Sequence, residues 1–377
     1  MPKKDRYLNS ISWIIMIFAV LLIVSSVLLY FVINKEESLR GAEQQIRLSA
    51  QGGFECEYSE AQKLYPFEDG VLKVTSDRVA YLTLSGNEIY SSSISYKNPQ
   101  CVTANGYAAV FDLNGYNFLV LNKDKVIYSV PVANQLKSCY IAPNGITAAF
   151  TDSKESYGEV LFFNPDGKPG PTYSSANSGY PLSCAFNGDS TMMAVVSVNT
   201  SGASMSPRIK EYEILYSDKG IDVKEKAVHD TNTSDILASA FYLKDDLYTF
   251  AADKMFIVKD DDIAQLDLKF ASVNYVTKVG DEIFIVYSDG IIQMNKLVVF
   301  DKSQQIIYDS DIGSNVNSVC NNNSYYAISV DKRIFVYNQS GNVIADISVD
   351  EDILRMNFIS GNELCVVSTG GVHTIDY

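Results

Sequence analysis

This chain is poor in the residues that do chemistry. Its 377 residues include two His and one Trp. A His-based triad needs a His beside a nucleophile and an acid. His229 and His373 lie far apart, and no Gly-x-Ser-x-Gly elbow is present. Zinc-hydrolase spacing is missing as well. Six Cys occur, at 56, 101, 139, 184, 320 and 365, and none forms a CxxC redox or zinc motif. Beyond residue 53 only Arg78, Arg208, Arg333 and Arg355 occur, too few for the convergent arginines of a sialidase-like propeller. Basic residues are the minority, 30 against 45 acidic, for a net charge of −15. Residues 1–10 carry Lys3, Lys4, Arg6 and Asp5, or +2, which leaves −17 on the rest. Such an acidic body excludes a nucleic-acid partner and argues against docking on anionic headgroups.

Two acidic runs are candidate calcium sites: Asp260, Asp261 and Asp262, and Asp309 with Asp311 and Gly313. Neighbouring carboxylates on a strand point to opposite faces, and neither run matches an EF-hand loop. Both read as solvated turns. No catalytic residue, cofactor or metal ligand is expected, and no enzyme activity is assigned.

What is present begins with an uncharged apolar run of 23 residues at 11–33. As a helix it would span roughly 34 Å, enough to cross a bilayer core. Trp13 and Tyr30 near its ends suit the membrane interface. The run is longer than a signal-peptide core, and no small-x-small site follows it, so a retained anchor is expected. The expected topology is a cytoplasmic tail at 1–10, a span at 11–33 and a juxtamembrane stalk at 34–53. A body at 54–377 would lie outside the cell membrane. Leu39, Ala42, Ile46 and Ala50 are at helical spacing, which predicts a short stalk helix.

The remainder reads as strand, turn, strand. The phrase "TSDRVAYLTLSGNEIYSSSIS" at 75–95 returns as "SVDKRIFVYNQSGNVIADISV" at 329–349. Turns recur at 85–87, 122–125, 164–168, 217–220, 259–262, 301–304 and 340–342, each after an apolar strand. Units of about 40 residues with four short strands are the arithmetic of a β-propeller blade. After the seventh unit, 353–377 supplies three strands. "FECEYS" at 54–59 is a spare strand that can complete an eighth blade by exchange between the chain ends, covering an edge. The expected fold is therefore all-β, an eight-bladed propeller behind one transmembrane helix, with seven blades as the alternative. Cys139, Cys184 and Cys320 fall in first strands, with Cys101 near the same register, which reads as core packing. His229 reads as exposed at the end of the fourth blade, and His373 as a pairing or rim residue of the last strand.

The anchor, the stalk and the phrases "YPFEDGVLKV", "NPQCVTANGYAAVFDLNGYNFLVLN" and "SCYIAPNGITAAF" resemble an uncharacterised family of single-pass, membrane-anchored propellers of Gram-positive bacteria. The resemblance implies fold and location and no activity. In architecture the chain is similar to WD40-like and quinoprotein-like propellers, but it lacks the Gly-His and Trp-Asp marks.

The functional expectation is a non-catalytic binding or scaffold protein whose partner is a protein or a cell-envelope ligand, with the membrane engaged through the one helix. The alternative is an enzyme acting on cell-wall glycan or peptide through paired carboxylates in the channel. A ligand-sensing ectodomain is a third reading, weakened by the short tail. The one irregular unit is the fourth, where "NTSGASMSPR" at 199–208 is inserted. Met205, Pro207 and Arg208 are the candidate partner contacts, because insertions on repeats map to loops of one face.

Overall fold

The computed structural model describes residue 25 and residues 43–377, apart from 176–178, 232, 238, 261 and 291–293. The expected span at 11–33, with Trp13 and Tyr30, lies outside the described residues except for Ser25. Among the described residues no helix is long and apolar enough to cross a membrane.

Eight antiparallel sheets follow one another around a ring, and the last packs against the first. The inner strands, in blade order, are Gln62–Phe67, Pro99–Ala104, Leu136–Ile141, Tyr180–Phe186, Ser239–Leu243, Ser272–Val279, Val316–Asn321 and Ile353–Ser360. Each is the edge strand of its sheet and faces the central channel. The two middle strands of a blade are apolar on both faces because each face meets another blade. Phe150 and Phe162 of blade 3 pack on Cys184, Val195 and Tyr212 of blade 4. Leu64 and Val71 of blade 1 pack on Cys365, Val367 and Val372 of blade 8.

The seven recurrent turns join third strands to outer strands. In three of them a left-handed glycine lies against an aromatic ring of the preceding blade's outer strand. Gly341 (φ 79°) faces Tyr308, and Gly167 (φ 84°) faces Tyr128. A side chain at these positions would be strained and would collide with the ring. Gly86 (φ 82°) of blade 1 faces Phe54 in the same way. Phe54 thus takes the place of an outer-strand aromatic for blade 8. Its strand, Gly52–Glu55, pairs antiparallel with Gly371–Asp376, Phe54 opposite Val372. The exchange of ends is real, and the blade count is eight.

Over its described residues, 43–53, the stalk is not an α-helix; residues 34–42 lie outside the described residues. Glu43–Ile46 instead adds a fifth, parallel strand to the outer edge of blade 7, Ile46 opposite Val349. A single 3₁₀ turn follows at Leu48–Ala50. Leu48 is fully buried among Ile347, Val349 and Ile353, at the junction of blades 7 and 8. The free edge of blade 7 offers unpaired backbone groups, and the junction offers a pocket for one leucine. Together these outweigh a helix of fewer than four turns, which is marginal alone. The ring therefore takes in the chain from residue 43, not from 54.

Candidate functional site

The inner strands set the chemistry of the channel. Not one of the eight contains Asp, Glu or His. They do contain Lys63, Lys137, Lys278 and Arg355. Paired channel carboxylates, the basis of the glycosidase or peptidase alternative, are thus not present on the channel wall. The acidic residues of this chain sit on turns, outer strands and middle strands, most of them solvated, with Asp112 and Glu211 buried within blades.

One end of the channel opens into a cavity of 570 Å³ between blades 7, 8, 1 and 2. Tyr65, Thr103, Ser318, Asn321, Arg355 and Asn357 contribute to its lining, and Glu68 stands on the rim turn. A smaller cavity of 240 Å³ lies between residues 56–64 and blade 8, with Lys63, Arg355, Glu57 and Glu60 on its wall. Arg355 borders both. Its guanidinium lies 4.4 Å from the centre of the Tyr65 ring, and Nη1 donates to the Leu64 carbonyl at 3.4 Å. Lys63 donates from Nζ to the Pro99 carbonyl at 3.2 Å. Burial first, and then the Arg355 charge, hold the Lys63 ammonium below its usual pKa. Lys278 likewise donates to the Tyr242 carbonyl, and burial lowers its pKa. Lys137 differs, since it meets Asp152 at 3.3 Å.

Two buried polar clusters lie away from the channel. Glu211 of blade 4 accepts from Tyr242 Oη at 2.9 Å, and its other oxygen lies 3.0 Å from His229 Nε2. All three side chains are buried, so His229 is not the exposed residue expected from "KAVHDTN". Its partner sits on the neighbouring strand, 18 positions earlier. The pair is a cross-strand contact invisible to local pattern. The second cluster brings together Ser368, His373 and Glu351. Ser368 Oγ lies 3.0 Å from His373 Nε2 and donates to Glu351. The same oxygen accepts from the Gly370 and Gly371 amides at 3.2 Å each. The Leu48 amide donates to Asp350 at 2.9 Å. Ser368 is 1% exposed, and its acid and histidine meet on one nitrogen. This is a clasp on the ring closure rather than a nucleophile. Burial lowers the His373 pKa, against the opposing pull of Glu351.

The fourth-blade insertion is a long hairpin. Its strands Met192–Asn199 and Ser206–Ser217 continue the sheet, and residues 200–206 are exposed. Met205 is solvent-facing at 41%. Pro207 is buried in the strand opposite Val198, and its carbonyl accepts from Thr231 Oγ1 at 3.2 Å. Arg208 pairs with Asp230 at 2.7 Å within the sheet. Of the three candidate contacts only Met205 projects fully from the blade.

The cysteines lie as the repeat implied. Cys101, Cys139, Cys184 and Cys320 are all on inner strands, and all six are unpaired thiols. Of the acidic runs, Asp309 accepts from Tyr287 at 3.1 Å, and Asp311 pairs with Lys296 at 3.5 Å. Asp260 holds a left-handed turn (φ 48°), and Asp261 is outside the described residues. Among the described residues no three His, Cys, Asp or Glu gather to hold a metal ion.

Solved propellers share the fold. BamB from Moraxella catarrhalis is 12% identical with a TM-score of 0.56, the match covering 87% of this chain and 99% of that one. Apo AztD from Citrobacter koseri is 11% identical with a TM-score of 0.54, covering 77% and 87%. Identities this low speak to the fold alone. No curated protein matches the sequence. A family model does match, over residues 45–376, and by it the chain belongs to the family of unknown function DUF5711.

Proposed function

We propose that this chain is a non-catalytic, single-pass protein of the cell membrane that holds a protein or cell-envelope partner on a propeller outside the cell. Residues 11–33 would be the span, with Trp13 and Tyr30 at its interfaces and residues 1–10 inside. The observation that carries the binding role is the channel wall: eight inner strands without one Asp, Glu or His. General acid–base work in a propeller channel needs such groups at its wall. The two His-containing clusters are spent on packing and closure. What remains accessible and irregular is the hairpin tip at 200–206 of blade 4. The anchor reading rests on the charge-free 23-residue run and on the ring starting only ten residues after it.

The test is affinity capture of the full-length chain from solubilised membranes, alongside a variant whose residues 200–204 are replaced by a two-residue turn. A discrete partner held by the wild type and lost by the variant supports the reading. The same partner held equally by both would remove the fourth-blade loop from it. Turnover of a defined cell-wall substrate by the purified chain would overturn the non-catalytic role.

A further inference from the structure

The channel mouth presents an electrostatic problem that the fold alone does not explain. The chain has 45 acidic residues against 30 basic, yet its inner strands hold four cations and no acid. Part of this is structural. Lys63, Lys278 and Arg355 each donate to a carbonyl on the inner strand of an adjacent blade, so they tie blade to blade. A carbonyl uses only one donor, however. An ammonium has three and a guanidinium five. Among the described residues no carboxylate lies within ion-pair distance of Lys63 or Arg355, whereas Lys137 meets Asp152. The two bare cations are near enough to each other for Arg355 to destabilise the charge on Lys63. Like charges held together without a counterion in a half-buried channel are relieved by an anion placed between them.

The shape fits such a guest. Arg355 lies on the Tyr65 ring, which fixes the plane of its guanidinium and leaves edge N–H groups as a fork for an oxyanion. Arg355 borders two cavities: the smaller, 240 Å³, is the one it shares with Lys63, and the larger, 570 Å³, is the size of a small-molecule site. Neutral polar groups dominate its lining, with Asn321, Asn357, Ser318 and Thr103 able to serve hydroxyl or amide groups of the same molecule. Glu68 on the rim of the larger cavity, and Glu57 and Glu60 on the wall of the smaller one, lie outside ion-pair distance of the two cations, oppose entry of a second negative charge and favour a ligand with one compact anionic end.

We propose that the channel mouth between blades 8 and 1 binds a small molecule through a phosphate or carboxylate group held by Arg355 and Lys63. The site goes beyond the partner-holding role, since it lies in the channel and not at the hairpin of blade 4, and its test succeeds or fails independently of any partner.

The experiment is titration calorimetry on the full-length chain in mild detergent, with inorganic phosphate and citrate as probes. Chloride at matched ionic strength is the reference. Saturable binding of either probe is expected, weakened at least about tenfold by Arg355→Gln and several-fold by Lys63→Gln. Lys137→Gln, at a cation already paired, leaves it unchanged. If Arg355→Gln lowers the melting temperature, Lys63→Gln decides, because its side chain is a half-exposed tether. Absence of saturable binding by both probes overturns the site. So does binding that survives both substitutions in folded variants.

Discussion

Replacing Leu48 by Ala removes the side chain that the amino-terminal segment places in the core. Leu48 is fully buried, in contact with residues of blades 7 and 8. The hydrogen bond from its backbone amide to Asp350 is a contact that the substitution keeps. The loss is therefore apolar transfer plus a cavity, for which a buried Leu→Ala change costs about 3 kcal/mol. In a domain of this size that lowers the melting temperature by about 4 °C. Ile46→Ala, at a half-buried position on the parallel edge strand, costs about 1 kcal/mol. Thermal melts followed by circular dichroism, repeated with urea at fixed temperature, read both changes. A detached stalk would give no change for either variant. A Leu48→Ala melt within about 1 °C of wild type would refute the reasoning, since it would mean that the segment does not bury its leucine.

Three further outcomes follow from the buried polar groups. Glu211→Ala leaves His229 and Tyr242 without their acceptor and costs about 3 kcal/mol, read as a lower urea midpoint; an unchanged midpoint would contradict the cluster. His373 has a folded pKa below its unfolded value near 6.5, so the unfolded chain takes the proton first as pH falls. Its contribution is intact above about pH 7 and is lost as pH drops through about 6.5 toward the folded pKa. Urea midpoints compared across this window should fall for wild type and stay flatter for His373→Gln; parallel curves would contradict the assignment. Cys139, Cys184, Cys320 and Cys365 are buried, and burial raises their thiol pKa values, that of Cys365 to about 12. They should label with thiol reagents only on unfolding, and rapid native labelling at those four positions would refute core packing.

The parts of the fold that were legible in the sequence are those that repeat. Seven turns of one kind fixed the blade period, and "FECEYS" stood out because one strand was left over and one was missing. Phe54 then falls on Gly86 as Tyr308 falls on Gly341, which is the repeat continued across the chain ends. The parallel strand Glu43–Ile46 had no such signal. Four polar-rich residues pairing with an edge 300 positions away leave no periodicity, and the helical spacing of Ile46 and Ala50 was coincidental. Leu48, off that spacing, is the residue that is buried. The burial of His229 leaves no local signal for a related reason, because it depends on Glu211 across the strand pair and on Tyr242 of the next blade. Pro207 and Arg208 looked like loop residues by composition, but the hairpin extends further than its neighbours and takes them into the sheet. The channel's cations were readable in principle. Once the inner strands are in register, their lack of acid in an acidic chain needs no coordinates.

Photo-crosslinking from position 205 in intact cells asks most directly whether the propeller holds a partner outside. A photoreactive residue replaces Met205, with a second at Ile263 on the outer strand of blade 5 as the reference position. A discrete adduct from 205, formed with the propeller accessible to impermeant reagents and not formed from 263, is the expected result. No adduct from 205, or a propeller reached by those reagents only after the membrane is opened, would contradict the proposed role.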